Sequence, residues 1–556
     1  MLLAEVLSPA VHPGEVRFPA RRIEVEDKQV TVEEIEEGKE IERDGSGKGL
    51  DSSFEEGEIQ RNDAQMRIRY TERELEMVLK ECEGMDSKYE KYKQCAIRMT
   101  AAYAEKGFVN TKAYALEDAN GPYIIVVPGR IAEIKIISSK NSVEKIVRRF
   151  TKRLKGQVLN TQRLSKYLQL LKSRIAGVTK INAGLSRLGG DQSKSRLVLE
   201  VVSKEMPVRG EIELGNNGSL TGGEFDSQAV ILKSNALKTG DSFLVYNEVY
   251  FEKDLEVPQW ISSLSYRYPV TPWVNIATGV SITNQYEPNT QISWDDFSSR
   301  QFQYTSGIEV GLSDNLFHER SVGFSVVGQQ SRLKYQGRSL PEVVPGIIRA
   351  PESGYMQLSM SQYSKLGFLD ANIRAYAIKA LPGITPVDQV RELGIVGVNL
   401  DEANAFGGSL QVVNRTNRRI VNKINLYGQY AIGTLMEPMK FSLGSNMGFK
   451  GLPDQIVNGD SGWAAIGESK IEIGRTERAA IFLQPYIGYG DASSSFGAVM
   501  DEDYIGAFGV FGSVETESGF GLELGYIKSI LEEDSRVGWG KWVLSNGLYG
   551  RLKYRF

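Results

Sequence analysis

From about Pro207 to Phe556 the chain keeps a period of two, and that alternation constrains its fold more than any other feature. Val274, Ile276, Thr278, Val280 and Ile282 fall on one side of a strand, with Asn275, Ala277, Gly279 and Ser281 on the other. Phe520, Leu522, Leu524 and Tyr526 oppose Gly521, Glu523 and Gly525. At the C-terminus Leu548, Gly550, Leu552, Tyr554 and Phe556 oppose Tyr549, Arg551, Lys553 and Arg555. Successive side chains of a strand point to opposite sides of its sheet. One apolar face ending in aromatics and one small or charged face therefore predict lipid outside and water inside, as in a transmembrane β-barrel.

Hydropathy is consistent with that reading. The longest strongly apolar run, Tyr123 to Val127, is far short of the ~20 residues of a membrane-spanning helix. A barrel whose faces alternate can average to a mean hydropathy of −0.28. The roughly 350 residues from 208 onward, at roughly 20 to 24 per strand with its connection, make about 14 to 18 strands, with sixteen the central expectation. Short connections such as Tyr268 to Pro272 contrast with long polar ones, Tyr286 to Arg300 and Tyr335 to Ser353. Short turns on one rim and long loops on the other are expected of such barrels.

With 556 residues, 41% of them apolar, the chain can build more than one core. A net charge of −4 lacks the basic footprint of a nucleic-acid partner. The apolar opening Met1 to Leu7 has no cationic segment before it, so a complete secretory signal is missing from this sequence, although a barrel needs export. Residues 1–66 are expected to form an acidic linker: Glu24 to Asp63 is rich in carboxylates, favouring disorder or weak helix. Lys48 is followed by Gly49 rather than Ser or Thr, so the glycine-rich stretch there is a poor phosphate loop.

Residues 67–130 and 131–207 read as two small α+β units. In the first, Leu75, Val78 and Leu79 share a helical spacing, a second helix runs from about Lys88 to Lys106, and Phe108 to Ala115 and Tyr123 to Val127 read as strands. In the second, Ile131 to Ile137 is a strand. Helices cover Ser142 to Leu154 and Thr161 to Ala176, the latter capped by Asn160 or Thr161, and Leu197, Leu199 and Val201 alternate in a last strand. Cys82 and Cys95 flank a helix turn and could close a short disulfide loop worth up to ~3 kcal/mol or stay as reduced core thiols.

The order of several motifs resembles the TpsB transporters of two-partner secretion, relatives of the BamA-type assembly proteins. Tyr103, Gly107 and Phe108, then Val127-Pro-Gly-Arg-Ile131, are similar to POTRA domains; Gly156, Leu159, Asn160, Leu171, Gly177 and Leu185 continue the likeness. Asn217, Gly218, Thr221 and Gly222, then Asn235, Gly240 and Asp241, resemble the start of the family's barrel. Phe449-Lys-Gly-Leu452, followed by Asn458-Gly-Asp-Ser-Gly-Trp463, resembles its sixth external loop, with Lys450 where the family has arginine, a point charge in place of a planar fork.

The resemblance implies a loop tip (Phe449, Lys450, Gly451, Leu452, with Gly459 and Asp460) folded into the barrel, its cation on a wall aspartate, for which Asp491 in Tyr489-Gly-Asp491 is the candidate. It also implies two periplasmic POTRA domains, a C-terminal barrel signal at Tyr554 and Phe556, and a plug helix drawn from Met1 to Leu7 or Thr31 to Arg43, unless that region is a plain linker. The implied activity is export of a TpsA-type exoprotein (adhesin, cytolysin or contact-dependent toxin) across a bacterial outer membrane. Its partners would be that exoprotein, outer-membrane lipid and, during biogenesis, the barrel-assembly machinery, with no cofactor. A barrel-assembly factor and a passive porin are the alternatives.

Gly459-Asp-Ser-Gly462 also resembles the nucleophile motif of chymotrypsin-like proteases, a chemistry that needs a histidine within hydrogen-bond reach of the serine. His12 and His318 are the available histidines, and neither has suitable surroundings, so no enzyme is expected. With so few histidines and cysteines, neither is a metal site.

Overall fold

The computed structural model describes residues 33–34 and 88–556, apart from 120, 189–190, 221, 287–296, 315–317, 418, 497–498, 532–539 and 541. Met1 to Leu7, Thr31 to Arg43 other than Glu33 and Glu34, the helical face at Leu75, Cys82 with the proposed Cys82–Cys95 link, and His12 lie outside the described residues.

The α+β elements begin with helix α1 (Lys88–Glu105) and a hairpin of β1 (Lys112–Asp118) and β2 (Gly121–Val127). The strand expected from Phe108 begins later. Gly107 adopts φ +87 and the Phe108 amide donates to the Tyr103 carbonyl, so this stretch finishes the helix. Strand β3 (Arg130–Ser138), helices α2 (Asn141–Thr151) and α3 (Thr161–Arg174), and strands β4 (Val178–Leu188) and β5 (Asp191–Ser203) follow. Strand β5 lies between β4, antiparallel, and β3, parallel. Asn160 caps α3, its Oδ1 accepting from the Arg163 amide at 2.9 Å. The apolar faces of α2 and α3 contribute Val147, Phe150, Leu168 and Leu171 to the buried residues, with Leu197 and Leu199 of β5.

Sixteen antiparallel strands form the closed barrel: β6 (Arg209–Gly215), β7 (Phe225–Ser234), β8 (Ser242–Phe251), β9 (Gln259–Pro269), β10 (Val274–Tyr286), β11 (Phe297–Asp314), β12 (His318–Tyr335), β13 (Glu352–Leu366), β14 (Leu369–Ala380), β15 (Asn404–Asn417), β16 (Ile420–Ile432), β17 (Ser461–Arg475), β18 (Ala479–Phe496), β19 (Val499–Thr516), β20 (Phe520–Leu531) and β21 (Leu548–Arg555). A two-residue ladder at Arg338–Ser339 adds to β12 outside this ring. Closure comes from Glu211–Gly215 of β6 against Arg551–Arg555 of β21, and leaves no open edge.

Alternation sets the two faces. Ile276, Val280, Leu522 and Leu552 are exposed outward, while Asn275, Ser281, Glu523 and Tyr549 are buried on the inner side. That apolar outward band is the surface a barrel offers to lipid. Among the described residues no helix is long and apolar enough to cross a membrane. Short turns join the strands on one rim. The turn after β7 shows why its sequence is restrictive: Asn235 (φ +56) accepts from the Gly240 amide, and the Asp241 carboxylate accepts from the Ala236, Leu237 and Lys238 amides.

Candidate functional site

The connection 433–460, between β16 and β17, folds against the inner wall. Two short strands, Phe441–Leu443 and Val457–Gly459, pair antiparallel and frame its tip. Phe441, Leu443, Met447, Phe449, Leu452 and Val457 form one buried cluster with Ala464 and Ile466 of β17, Tyr486 of β18, Phe511 of β19, Ile527 of β20 and Tyr549 of β21. Phe449 is among the largest fully buried side chains.

Glycines make this approach feasible on both sides. Gly451 adopts φ +80, and a Cβ there would lie 2.6 Å from Cγ2 of Ile527. On the wall, a Cβ on Gly488 would lie 3.0 Å from the Phe449 ring. Any larger residue at either position forces the tip away from the wall.

Lys450, at the apex, is 8% exposed. Its Nζ lies 3.4 Å from Oε1 of Glu468 (β17) and 3.7 Å from Oε2 of Glu523 (β20), and 3.8 Å from the centroid of the Phe511 ring. Its backbone amide donates to the Tyr486 hydroxyl, which donates to the Gly448 carbonyl. Glu523 is shared: it also pairs with Lys553 at 3.1 Å and accepts from the Tyr549 hydroxyl at 3.1 Å. Lys553 and Arg551 reach Glu213 of β6 in turn, so the tip joins a network that crosses the closure of the barrel.

The lysine's carboxylate partners are not the one expected. Asp491 sits on β18 opposite Trp463 and Tyr504. Inner positions of that strand are the even ones: Gln484, Tyr486 and Ala492 are buried, whereas Ile487 and Tyr489 are exposed outward. The odd-numbered Asp491 therefore belongs to the outer side, and Glu468 with Glu523 take its place. Glu523 was legible as inward from Leu522 and Leu524 beside it; Glu468 required the register of β17.

A second contact ties the loop to the connection after β6. The Asp454 amide donates to the Gly218 carbonyl at 2.8 Å, and its carboxylate accepts from the Asn446 amide and from the Tyr250 hydroxyl, both at 3.2 Å. Burial, then the nearby charge of Glu248, raises the Asp454 carboxyl to about 7. Burial also lowers the Lys450 ammonium to about 8, against the pull of Glu468 and Glu523. Lys450 and Asp454 are thus both pushed toward neutrality by docking. Apolar packing holds the loop, and its charges tax it.

The other expected residues fall as follows. Asp460 is buried, and its Oδ1 accepts from the Leu435 amide, fixing the loop base. Gly459 packs on Ser493, leaving no room for a Cβ. The Tyr554 and Phe556 rings stack at 6.0 Å, and Phe556 exchanges backbone hydrogen bonds with Gly210 at the closure. Ser461 accepts from the Ala431 amide, and His318 is bonded to Ser364, so the sequence likeness to a protease motif does not bring these two together.

A sixteen-stranded barrel with an inwardly docked loop defines the structural class. Solved structures of similar fold are CdiB from Escherichia coli, at a TM-score of 0.62 and 14% identity over 88% of this chain and 89% of that one, and CdiB from Acinetobacter baumannii, at 0.60 and 14% over 88% of each. No family model matches the sequence, and no curated protein matches it. The fold expected from the resemblance to TpsB transporters is the fold observed.

Proposed function

We propose that this protein is an outer-membrane transporter that exports a large exoprotein, of the TpsA type, with loop 433–460 as a releasable gate. The observation that carries the reading is the docked loop itself: the inner wall of a sixteen-stranded barrel holds a segment whose anchors are apolar and whose Lys450 and Asp454 are penalised by burial. Such a segment is stable at rest and is displaced when a passing chain competes for its contacts. The α+β elements are two POTRA domains, 67–130 and 131–207, placed on the periplasmic side. Their sheet edges receive the unfolded exoprotein by strand addition, in which backbone hydrogen bonds supply affinity. Folding of the exoprotein outside supplies the direction.

The test is secretion of a co-expressed candidate exoprotein by cells carrying the wild-type protein or Lys450→Ala, with insertion checked by heat-modifiable gel mobility. The expected result is export that requires this protein and changes in the variant while insertion stays normal. Export that is equally efficient without the protein overturns the reading and leaves barrel assembly as the leading function.

A further inference from the structure

The outer face of the barrel carries a cluster of cations on β11 and β12. Outward positions on these strands are the even ones, where Phe302, Tyr304, Ile308 and Phe324 are exposed apolar residues of the lipid-facing band. Toward the long loops the same parity continues with charge: Arg300 stands directly opposite Arg332, and Lys334 follows opposite Ser298. All three cations are exposed. On its other side Arg300 is aligned with Asn284 of β10.

Height puts the cluster at the headgroup level of a membrane. At about 3.4 Å per residue and a strand tilt of ~40°, the climb from Leu312 to Phe302 is roughly 26 Å along the barrel axis, close to the ~25 Å of a barrel's apolar band. Arg300 is the next outward residue above Phe302, and Arg332 is level with it. On the inner side the Phe297 and Tyr335 rings meet at 4.8 Å, which ties together the strand ends that bear the cations.

Like charges directly opposite one another destabilise a strand pair. Here no acid offsets the repulsion. The nearby Glu352 accepts from Gln330 at 2.6 Å, and Arg300, Arg332 and Lys334 have no carboxylate within ion-pair reach. Other outward cations at strand ends on this rim, Lys379 and Lys528, stand singly among the described residues.

From three uncompensated cations at the upper border of the lipid band, we infer that Arg300, Arg332 and Lys334, with Asn284, form a binding site for the phosphorylated sugar headgroup of outer-leaflet lipopolysaccharide. The inference rests on the transporter reading for its orientation, long loops outward. A guanidinium fork binds phosphate through two parallel hydrogen bonds, and two forks side by side on paired strands present a fixed clamp. Lys334 adds a point charge above them, and acyl chains lie along Phe302, Tyr304 and Phe324 below. Basic clusters at the edge of a hydrocarbon layer hold anionic lipid headgroups in this way.

The test uses the purified full-length protein in neutral detergent, with binding of lipid A, dephosphorylated lipid A and phosphatidylglycerol each followed by native mass spectrometry. The wild type should bind lipid A roughly tenfold or more tightly than either other lipid, and the triple variant Arg300→Gln/Arg332→Gln/Lys334→Gln should lose that preference, the worth of one charge-assisted hydrogen bond or more. Lys528→Gln should bind as the wild type does. The gel-mobility transition of the triple variant should stay in place, since the three side chains are exposed and outward. Equal binding by the triple variant, or no preference for phosphorylated over dephosphorylated lipid A, overturns the inference; equal binding of phosphatidylglycerol overturns the assignment to lipopolysaccharide. Orientation is checked by labelling Arg338→Cys with an impermeant maleimide on intact cells, where absence of labelling also overturns it. Failed export in the preceding experiment with lipid A binding intact would instead count against the transporter reading alone.

Discussion

The two halves of the inner wall differ in what they hold. The arc from β16 through β21 to β6 carries Lys423, Glu468, Lys470, Glu515, Glu523 and Arg551, and against it lies the docked loop. The arc from β9 to β13 is almost free of charge at mid-height and carries hydroxyls and carboxamides. The charged arc pairs its groups with one another: Lys470 meets Glu515 at 2.6 Å, and Glu523 is divided between Lys450 and Lys553. The two arcs thus differ in the chemistry of their inward residues, and the docked loop lies on the charged one.

Removing the apolar anchor should loosen the docked loop most. Phe449→Ala is expected to weaken docking by ~3–5 kcal/mol, the usual cost of truncating a buried aromatic, and to raise the open probability of the pore in planar bilayers. An unchanged conductance would mean that the loop is held elsewhere. Gly451→Ala should follow at ~1–3 kcal/mol, because the added methyl meets Ile527 and φ is +80; the readout is protease cleavage within 433–460.

A double-mutant cycle sharpens the electrostatic side. Lys450→Ala with Glu523→Ala should show a coupling of ~0.5–3 kcal/mol in docking, whereas Lys450→Ala with Asp491→Ala should be additive within ~0.5 kcal/mol. The reverse ranking would restore Asp491 as the partner.

The smallest expected effect is that of pH. Asp454, raised by docking from 3.8 to about 7, contributes docking stability that is full below about pH 4 and lost as pH rises through about 7. Lys450, lowered from 10.5 to about 8, has the opposite sign and regains stability as pH rises from about 8 toward 10.5. Docking should therefore be least favourable between about pH 7 and 8, where open probability should peak. A monotonic profile would show that other groups govern release.

Much of this fold is legible in the sequence. The period of two marked the strands at 274–282, 520–526 and 548–556 and the outward sets at Leu522 and Leu552; a soluble sandwich alternates too, and the face chemistry, apolar with terminal aromatics against small or charged, pointed to a barrel. The resemblance to the sixth external loop of TpsB transporters located the loop tip at Phe449 to Leu452. The partner of Lys450 was not legible, since β18 carries aromatics on both parities, Tyr486 inward and Tyr489 outward, and glycines at 488 and 490 blur which face is which. The neutral rank across β9 to β13 was hidden for another reason: no single strand contains it, and only the register of five strands brings Ser263, Ser281, Gln303, Gln329 and Ser353 together. Strand β4 escaped notice because its alternation is short and follows directly on a helix.

The most direct test of a releasable gate is to prevent its release. A Cβ at Gly451 would lie 2.9 Å from that of Ile527, roughly 0.6 Å inside the shortest span of a disulfide, so cysteines at the two positions can close a tether once the tip withdraws by about that amount, and Ile527→Cys removes the Cγ2 methyl that stands in the way. In the double variant Gly451→Cys/Ile527→Cys, oxidised tethering should stop exoprotein secretion, and an external reductant should restore it to the level of the two single variants. Secretion at the same rate with the tether closed would contradict the account, because the loop would then be shown to stay on the charged wall while the chain passes.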